Sequence, residues 1–172
     1  MESRVKFMGH PVHQQLVIFP LGLLATAVIF DVVYLASRMP EMAIVAYWLI
    51  AAGLIGAVVA APFGALDWTK IPRGTRAKRI GALHGVGNLI VSLLFLASWL
   101  LRPAPPAGPE IVAMLFSFAG AALAVVTGWL GGELVDRLGV GVHEGAHLDA
   151  PSSLEQPELT PAQERRAASL HR

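Results

Sequence analysis

The 172-residue chain contains no cysteine, which excludes disulfides, iron–sulfur clusters and thiolate metal sites built from its own side chains. Charge is also scarce. Asp, Glu, Lys and Arg make up 15% of the sequence, against roughly 25% in a soluble domain, which mixes them along its helices. The formal net charge is +1, so no broad basic surface points to nucleic acid. Within four stretches the scarcity becomes near-absence: residues 16–36 (with Asp31 alone), 43–66, 80–101 and 111–132. Each runs about 21 to 24 residues, and roughly 20 helical residues cross the hydrocarbon core of a bilayer. None has the polar face of a soluble amphipathic helix or the period-two alternation of a barrel strand. Backbone polar groups in lipid must be satisfied within the segment itself, so the stretches predict four transmembrane helices, at about 12–36, 42–66, 79–101 and 110–136.

Short connections favour antiparallel neighbours. The expected fold is therefore an all-α membrane protein, with an up-down-up-down bundle over residues 1–138. The third connection, Arg102-Pro-Ala-Pro-Pro-Ala-Gly-Pro, is too rich in proline for a helix and reads as a stiff connector. From Gly139 the composition turns to Glu, Gln, Pro, Ser and Ala, so residues 139–172 read as a disordered tail, with a short helix expected near 161–170.

Lys and Arg number two before the first helix, then one, five and one in the successive loops, and four from Arg137 onward. Cations are retained on the cytoplasmic side, so this alternation predicts a protein of the inner (cell) membrane with both termini cytoplasmic. Tyr34, Tyr47, Trp48 and Trp99 then fall near the outer boundary and Trp68 near the inner one, where aromatic belts form. A cleaved signal peptide is the rival reading of Arg4, Lys6 and the following apolar run, with Ala25-Thr26-Ala27 as its cleavage site. The run continues well past that tripeptide, which favours a retained helix.

Polar residues within membrane helices are expensive and by default suggest function. His10 and His13 lie at the inner end of the first helix, Asp67 ends the second, His84 begins the third and Glu133 closes the fourth. Gly81, His84, Gly85, Asn88 and Ser92 recur at three- and four-residue steps, a small and polar stripe facing the bundle. The second helix carries a small stripe of its own, Gly53, Gly56, Ala60 and Gly64. The bland account is that polar groups gather at helix ends because water and headgroups are there, and that glycines allow close packing. The sharper account is a cofactor site, since imidazole ligates haem iron and divalent metals. The first and third helices of such a bundle are parallel diagonal partners, so His10 or His13 can face His84 across the core. Asn88 would then orient a ligand, and loop cations (Lys70, Arg73, Arg76, Lys78, Arg79) would lie near haem propionates. If Asp67, His84 and Glu133 converge instead, the donor set suits zinc, iron or manganese. Spacing alone leaves haem b and a divalent metal both open.

Two further features point elsewhere. Asp31 falls about 27 Å from His13 at 1.5 Å per residue, near the outer boundary, where pairing with Arg102 or Arg38 explains it more simply than a proton relay. His143-Glu144-Gly145-Ala146-His147 matches the zinc-protease pattern H-E-x-x-H, but Gly145 and the preceding Gly139-Val-Gly-Val do not suit the helix that pattern needs, and only Glu158 or Glu164 could add a third ligand.

Several of these segments together resemble a bacterial four-helix membrane-protein family known as domain of unknown function twenty-two thirty-one. They are Gly9-His-Pro-Val-His with Phe19-Pro-Leu-Gly, Phe30-Asp, Gly64-Ala-Leu-Asp-Trp, Arg79-Ile-Gly-Ala-Leu-His-Gly-Val-Gly-Asn and Gly128-Trp-Leu-Gly-Gly-Glu-Leu-Val. The resemblance covers roughly residues 8–142. The chain departs from the family pattern at Gln14, where a proline is common, and at Asp136, where an aromatic is. The family label implies no activity. Relatives joined to Rieske-type domains imply a setting in electron transfer, and so favour haem.

The functional expectation is haem or metal binding in membrane electron transfer, with His10, His13, His84 and Asn88 at the cofactor and Asp67 and Glu133 as metal or proton partners. No catalytic residue is assigned. The partners it calls for are the bilayer and a redox protein, and a homo-oligomer is a further option. The alternatives are a small transporter or permease subunit and a non-catalytic assembly module.

Overall fold

Met8 and Gly9 both take left-handed backbone conformations, with φ of 51° and 81°, the pair that a tight two-residue hairpin turn requires. They join β1 (Lys6–Phe7) to β2 (His10–Pro11) in a short antiparallel ladder, Lys6 opposite Pro11 and Phe7 opposite His10. Pro11, extended at ψ 122°, leads into α1 (Val12–Leu16). One residue later α2 (Ile18–Ser37) continues the same span. The computed structural model describes residues 1–103 and 108–155.

Helix α2 stops where Arg38 turns left-handed and its N–H reaches back to the Tyr34 carbonyl. Helix α3 (Pro40–Lys70) begins on a proline, whose missing N–H costs nothing in a first turn, with Glu41 beside it favouring the positive end of the dipole. Gly74, at φ 82°, turns the chain. Thr75 Oγ1 then accepts the Lys78 N–H at 3.1 Å, capping α4 (Arg76–Leu100). Helix α5 (Ile111–Gly132) passes into a π-helical turn, Glu133–Arg137, and Gly139 at φ 63° closes it.

These elements give four helices long and apolar enough to cross a membrane. They run up and down in alternation. The α3–α4 turn, with Lys70, Arg73, Arg76, Lys78 and Arg79, marks one end of the bundle, called here the basic end. The connections after Ser37 and after Leu100 mark the opposite end. Helices α2 and α3 form one close hairpin and α4 and α5 another, and the two hairpins touch each other less extensively.

Small residues set the close approaches within each hairpin. A Cβ on Gly53 would come within 2.6 Å of Leu24 Cδ2, and one on Gly87 within 2.5 Å of Thr127 Cγ2. In lipid, where apolar burial between helices gains little, such contacts supply the dispersion energy that holds helices together. Leu24, Ala27, Ile50, Val91 and Phe95 form the core, while Ile29, Ile55, Val58, Leu89 and Val125 are exposed, as lipid-facing residues must be. On α4 the polar stripe faces inward at Gly81, His84, Asn88 and Ser92, but Gly85 is exposed and meets nothing.

Residues 139–155 run in turns back under the basic end, where the Gly141 N–H donates to the Met1 carbonyl at 2.9 Å and Ser153 Oγ to the Met8 carbonyl at 3.0 Å. The helix expected near 161–170 lies outside the described residues, as do Glu158, Glu164 and positions 104–107 of the proline-rich connector.

Candidate functional site at the basic end

Helix α1 is only five residues long, but it aims His13 across the α1–α3 contact. His13 Nδ1 lies 3.0 Å from the Ala60 carbonyl oxygen. The imidazole packs flat enough on α3 that a Cβ on Gly64 would meet Cε1 at 2.7 Å. The stripe Gly53, Gly56, Ala60 and Gly64 therefore serves two neighbours, with Leu24 and Pro20 against its first half and His13 against its second.

The second imidazole is held the same way in the other hairpin. His84 Nδ1 lies 2.9 Å from the Thr127 carbonyl oxygen, and a Cβ on Gly131 would come within 3.0 Å of its Cε1. The Asn88 amide nitrogen donates to the His84 carbonyl at 2.9 Å and stands 3.2 Å from His84 Nε2. Thr127 Oγ1 donates to Asn88 Oδ1 at 3.0 Å, which fixes which way the amide faces. Thr127, buried at 2% exposure, thus supports both members of the His84–Asn88 pair.

A carbonyl oxygen only accepts, so each Nδ1 must carry the proton. In the neutral ring this leaves the lone pair on Nε2, the arrangement in which histidine ligates iron or a divalent metal. The two rings stand at matching depth. Trp68 packs on Gly81 across the α3–α4 contact, and one helical turn further in on each helix lie Gly64, with its His13, and His84.

The other sequence candidates are engaged elsewhere. His10 sits in the hairpin, not on the helix, because Pro11 delays the helix start to Val12. It is exposed, with Nε2 3.3 Å from Ser153 Oγ, and shares no helical face with His13. Asp67 accepts Ser3 Oγ on both oxygens (2.7 and 2.6 Å) and the Arg4 backbone N–H at 2.6 Å, anchoring the N-terminal segment to the end of α3. Glu133 pairs with Arg76 at 2.6 Å and ties the π-helical turn to the start of α4. Among the described residues no three His, Asp or Glu side chains gather as a metal cluster, so Asp67, His84 and Glu133 are not brought to one point. His143-Glu144-Gly145-Ala146-His147 lies in turns, with His143 3.3 Å from Glu2.

At the opposite end the structure pairs Asp31 with Arg102 rather than with Arg38. Nη1 and Nη2 donate to the two carboxylate oxygens at 2.8 and 2.6 Å. Ser117 Oγ donates to Asp31 at 2.9 Å, Arg102 Nη2 also reaches Ser98 Oγ at 3.3 Å, and Asp31 is 0% exposed. Ser98 and Ser117 complete this buried network, and neither is among the partners expected of Asp31. The signal is the four-residue spacing of Ser98, in the last turn of α4, from Arg102 just past its end.

A family model described as "Predicted membrane protein (DUF2231)" matches residues 9–144. No curated protein and no solved structure matches the chain.

Proposed function

The chain belongs to the DUF2231 family of predicted membrane proteins, and from that premise we propose that its four-helix domain holds a haem b between His13 and His84 and serves in membrane electron transfer. The observation that carries this reading is the matched pair of Nδ1–carbonyl contacts, His13 to Ala60 and His84 to Thr127. Each puts the proton on Nδ1 and the lone pair on Nε2; Asn88 Nδ2, 3.2 Å from His84 Nε2, would give way to a ligand there, and the two imidazoles belong to different hairpins. Haem in that place would supply one-electron chemistry. The chain's own residues do the rest: Ala60 and Thr127 orient the rings, Asn88 supports His84, and Gly64 and Gly131 leave room for the imidazoles. Arg73 in the α3–α4 turn and Arg79 in the first turn of α4, both exposed, suit the propionates.

By the positive-inside rule the basic end faces the cytoplasm of a cell-membrane protein, with both termini on that side. A cytoplasm-facing haem calls for a redox protein as partner there. This reading does not use His10, Asp67 or Glu133 as ligands.

Hemin titration into detergent-purified protein tests the proposal. Uptake should saturate at one haem per chain and fail in His13→Ala and in His84→Ala. Uptake unchanged in both variants would overturn it.

A further inference from the structure

Lys70, Arg73, Arg76, Lys78 and Arg79 fall between positions 70 and 79, and no Asp or Glu stands between Asp67 and Glu110. Retention of a loop on the cytoplasmic side asks only for an excess of cations; the fold shows which of these charges stay available. Arg76 is neutralised by Glu133 at 2.6 Å, and Lys78 lies over the Trp68 ring, 3.7 Å from its centroid. Among the described residues no acid pairs with Lys70, Arg73 or Arg79, and all three are exposed. Residues 156–172 bring no net negative charge, since they hold three arginines and two glutamates.

The turn keeps these cations at the membrane surface. Only residues 71–75 separate α3 from α4, and both helices are spans. Ile71 is buried at 3% exposure, its Cδ1 packed on Gly81, which pins the turn down on the bundle. Trp68 Nε1 donates to the Lys78 carbonyl at 3.1 Å and Lys78 Nζ to the Trp68 carbonyl at 2.7 Å, so the two helix ends are locked together. Trp68 is itself 38% exposed, an amphipathic ring of the kind that settles at headgroup level. Cations held at that depth first meet the anions that the bilayer carries.

We infer that the α3–α4 turn binds the headgroup of an anionic phospholipid, with Lys70 and Arg73 on its phosphate and Arg79 adding to the local field. Arginine offers phosphate a bidentate fork and lysine a point charge. The site stands on this turn alone and does not require the imidazole pair.

The test is thermal unfolding of the full chain in non-ionic detergent, without added haem, titrated with dioleoylphosphatidylglycerol, dioleoylphosphatidylcholine or glycerol phosphate. Phosphatidylglycerol should raise the unfolding temperature saturably, and less so as salt is added. Phosphatidylcholine and glycerol phosphate should not. Lys70→Gln with Arg73→Gln should raise the half-saturating phosphatidylglycerol concentration about thirtyfold, the weight of two cations at a charged bilayer surface. Arg38→Gln removes an exposed cation at the opposite end and should leave the titration as it was. Equal stabilisation by phosphatidylcholine would overturn the inference, as would equal stabilisation by glycerol phosphate, which would assign the turn to a soluble phosphate. It also fails if no compound shifts unfolding, or if Arg38→Gln weakens the response as much as the double variant does. A folded double variant that titrates like the unaltered protein would overturn it too.

Discussion

Gly64 and Asp31 show what single residues contribute here, one by what it lacks and the other by what it carries. A methyl group at position 64 would meet the His13 ring at 2.7 to 3.0 Å on three atoms, and a planar ring seated on a helix cannot yield by changing rotamer locally. Gly64→Ala should therefore turn the imidazole off the Ala60 carbonyl and weaken haem uptake about tenfold or more, as losses of ligand orientation do. Helix content by circular dichroism should not change, and normal uptake in this variant would show that the His13 orientation does not matter. Asp31 and Arg102 form a pair whose side chains are 0% and 2% exposed, so removing one partner strands a charge in lipid. Asp31→Ala and Arg102→Ala should each cost about 3–5 kcal/mol, and Asp31→Leu with Arg102→Met should recover most of it. Denaturation in mixed detergent reads this directly. Single losses no larger than the ~1 kcal/mol of a surface pair would show that the network is not as dry as it looks.

At the scale of elements, the N-terminal segment and residues 139–155 act together as a cover over the basic end. Ser3 and Arg4 clasp Asp67, Ser153 reaches the Met8 carbonyl, and Glu2 contacts His143 and the Glu144 N–H. Ser3→Ala removes both hydroxyl contacts to Asp67, and should raise protease cleavage within residues 1–11 roughly tenfold without disturbing the bundle, on the scale of a hydrogen bond to a charged acceptor. Unchanged cleavage would mean that the ladder alone holds the segment. The Glu2 carboxyl is held below its ordinary value of 4.5 by the Lys6 side chain first, then by the Glu144 N–H, with His143 a smaller influence. A lowered carboxylate contributes stability that is present above its unfolded value and lost as pH falls through the folded one. Docking of residues 139–155 should thus persist from neutral pH down to that ordinary value and loosen only below it, as measured by hydrogen exchange at 139–155. Loosening already well above that value would show that the Glu2 carboxylate is not the latch.

Across the whole molecule, the spans were legible because lipid imposes a single strong rule, an uninterrupted apolar run long enough to cross, which charge-free stretches such as 43–66 and 111–132 display without regard to tertiary contacts. The site was legible only in part. His84 and Asn88 could be placed from α4 periodicity, but their anchor Thr127 belongs to another helix and no spacing reports it. His10, expected at the inner end of the first helix, lies outside it because Pro11 does not permit the helix to start so early. Asp67 and Glu133 sit at helix ends, where a carboxylate serves an N-terminal clasp or an arginine as readily as a metal, and only the structure distinguishes these uses. The two hairpins are tied to each other at the far end by Asp31 and Arg102, while at the basic end each holds an imidazole of its own.

Haem binding between His13 and His84 is tested most directly by the absorption spectrum of detergent-purified protein, produced with haem precursor supplied, before and after dithionite. The expected result is a Soret band that shifts on reduction and is lost in His84→Ala, while Asp67→Asn retains it. A colourless protein under those conditions, or a Soret band untouched by His84→Ala, would contradict the account.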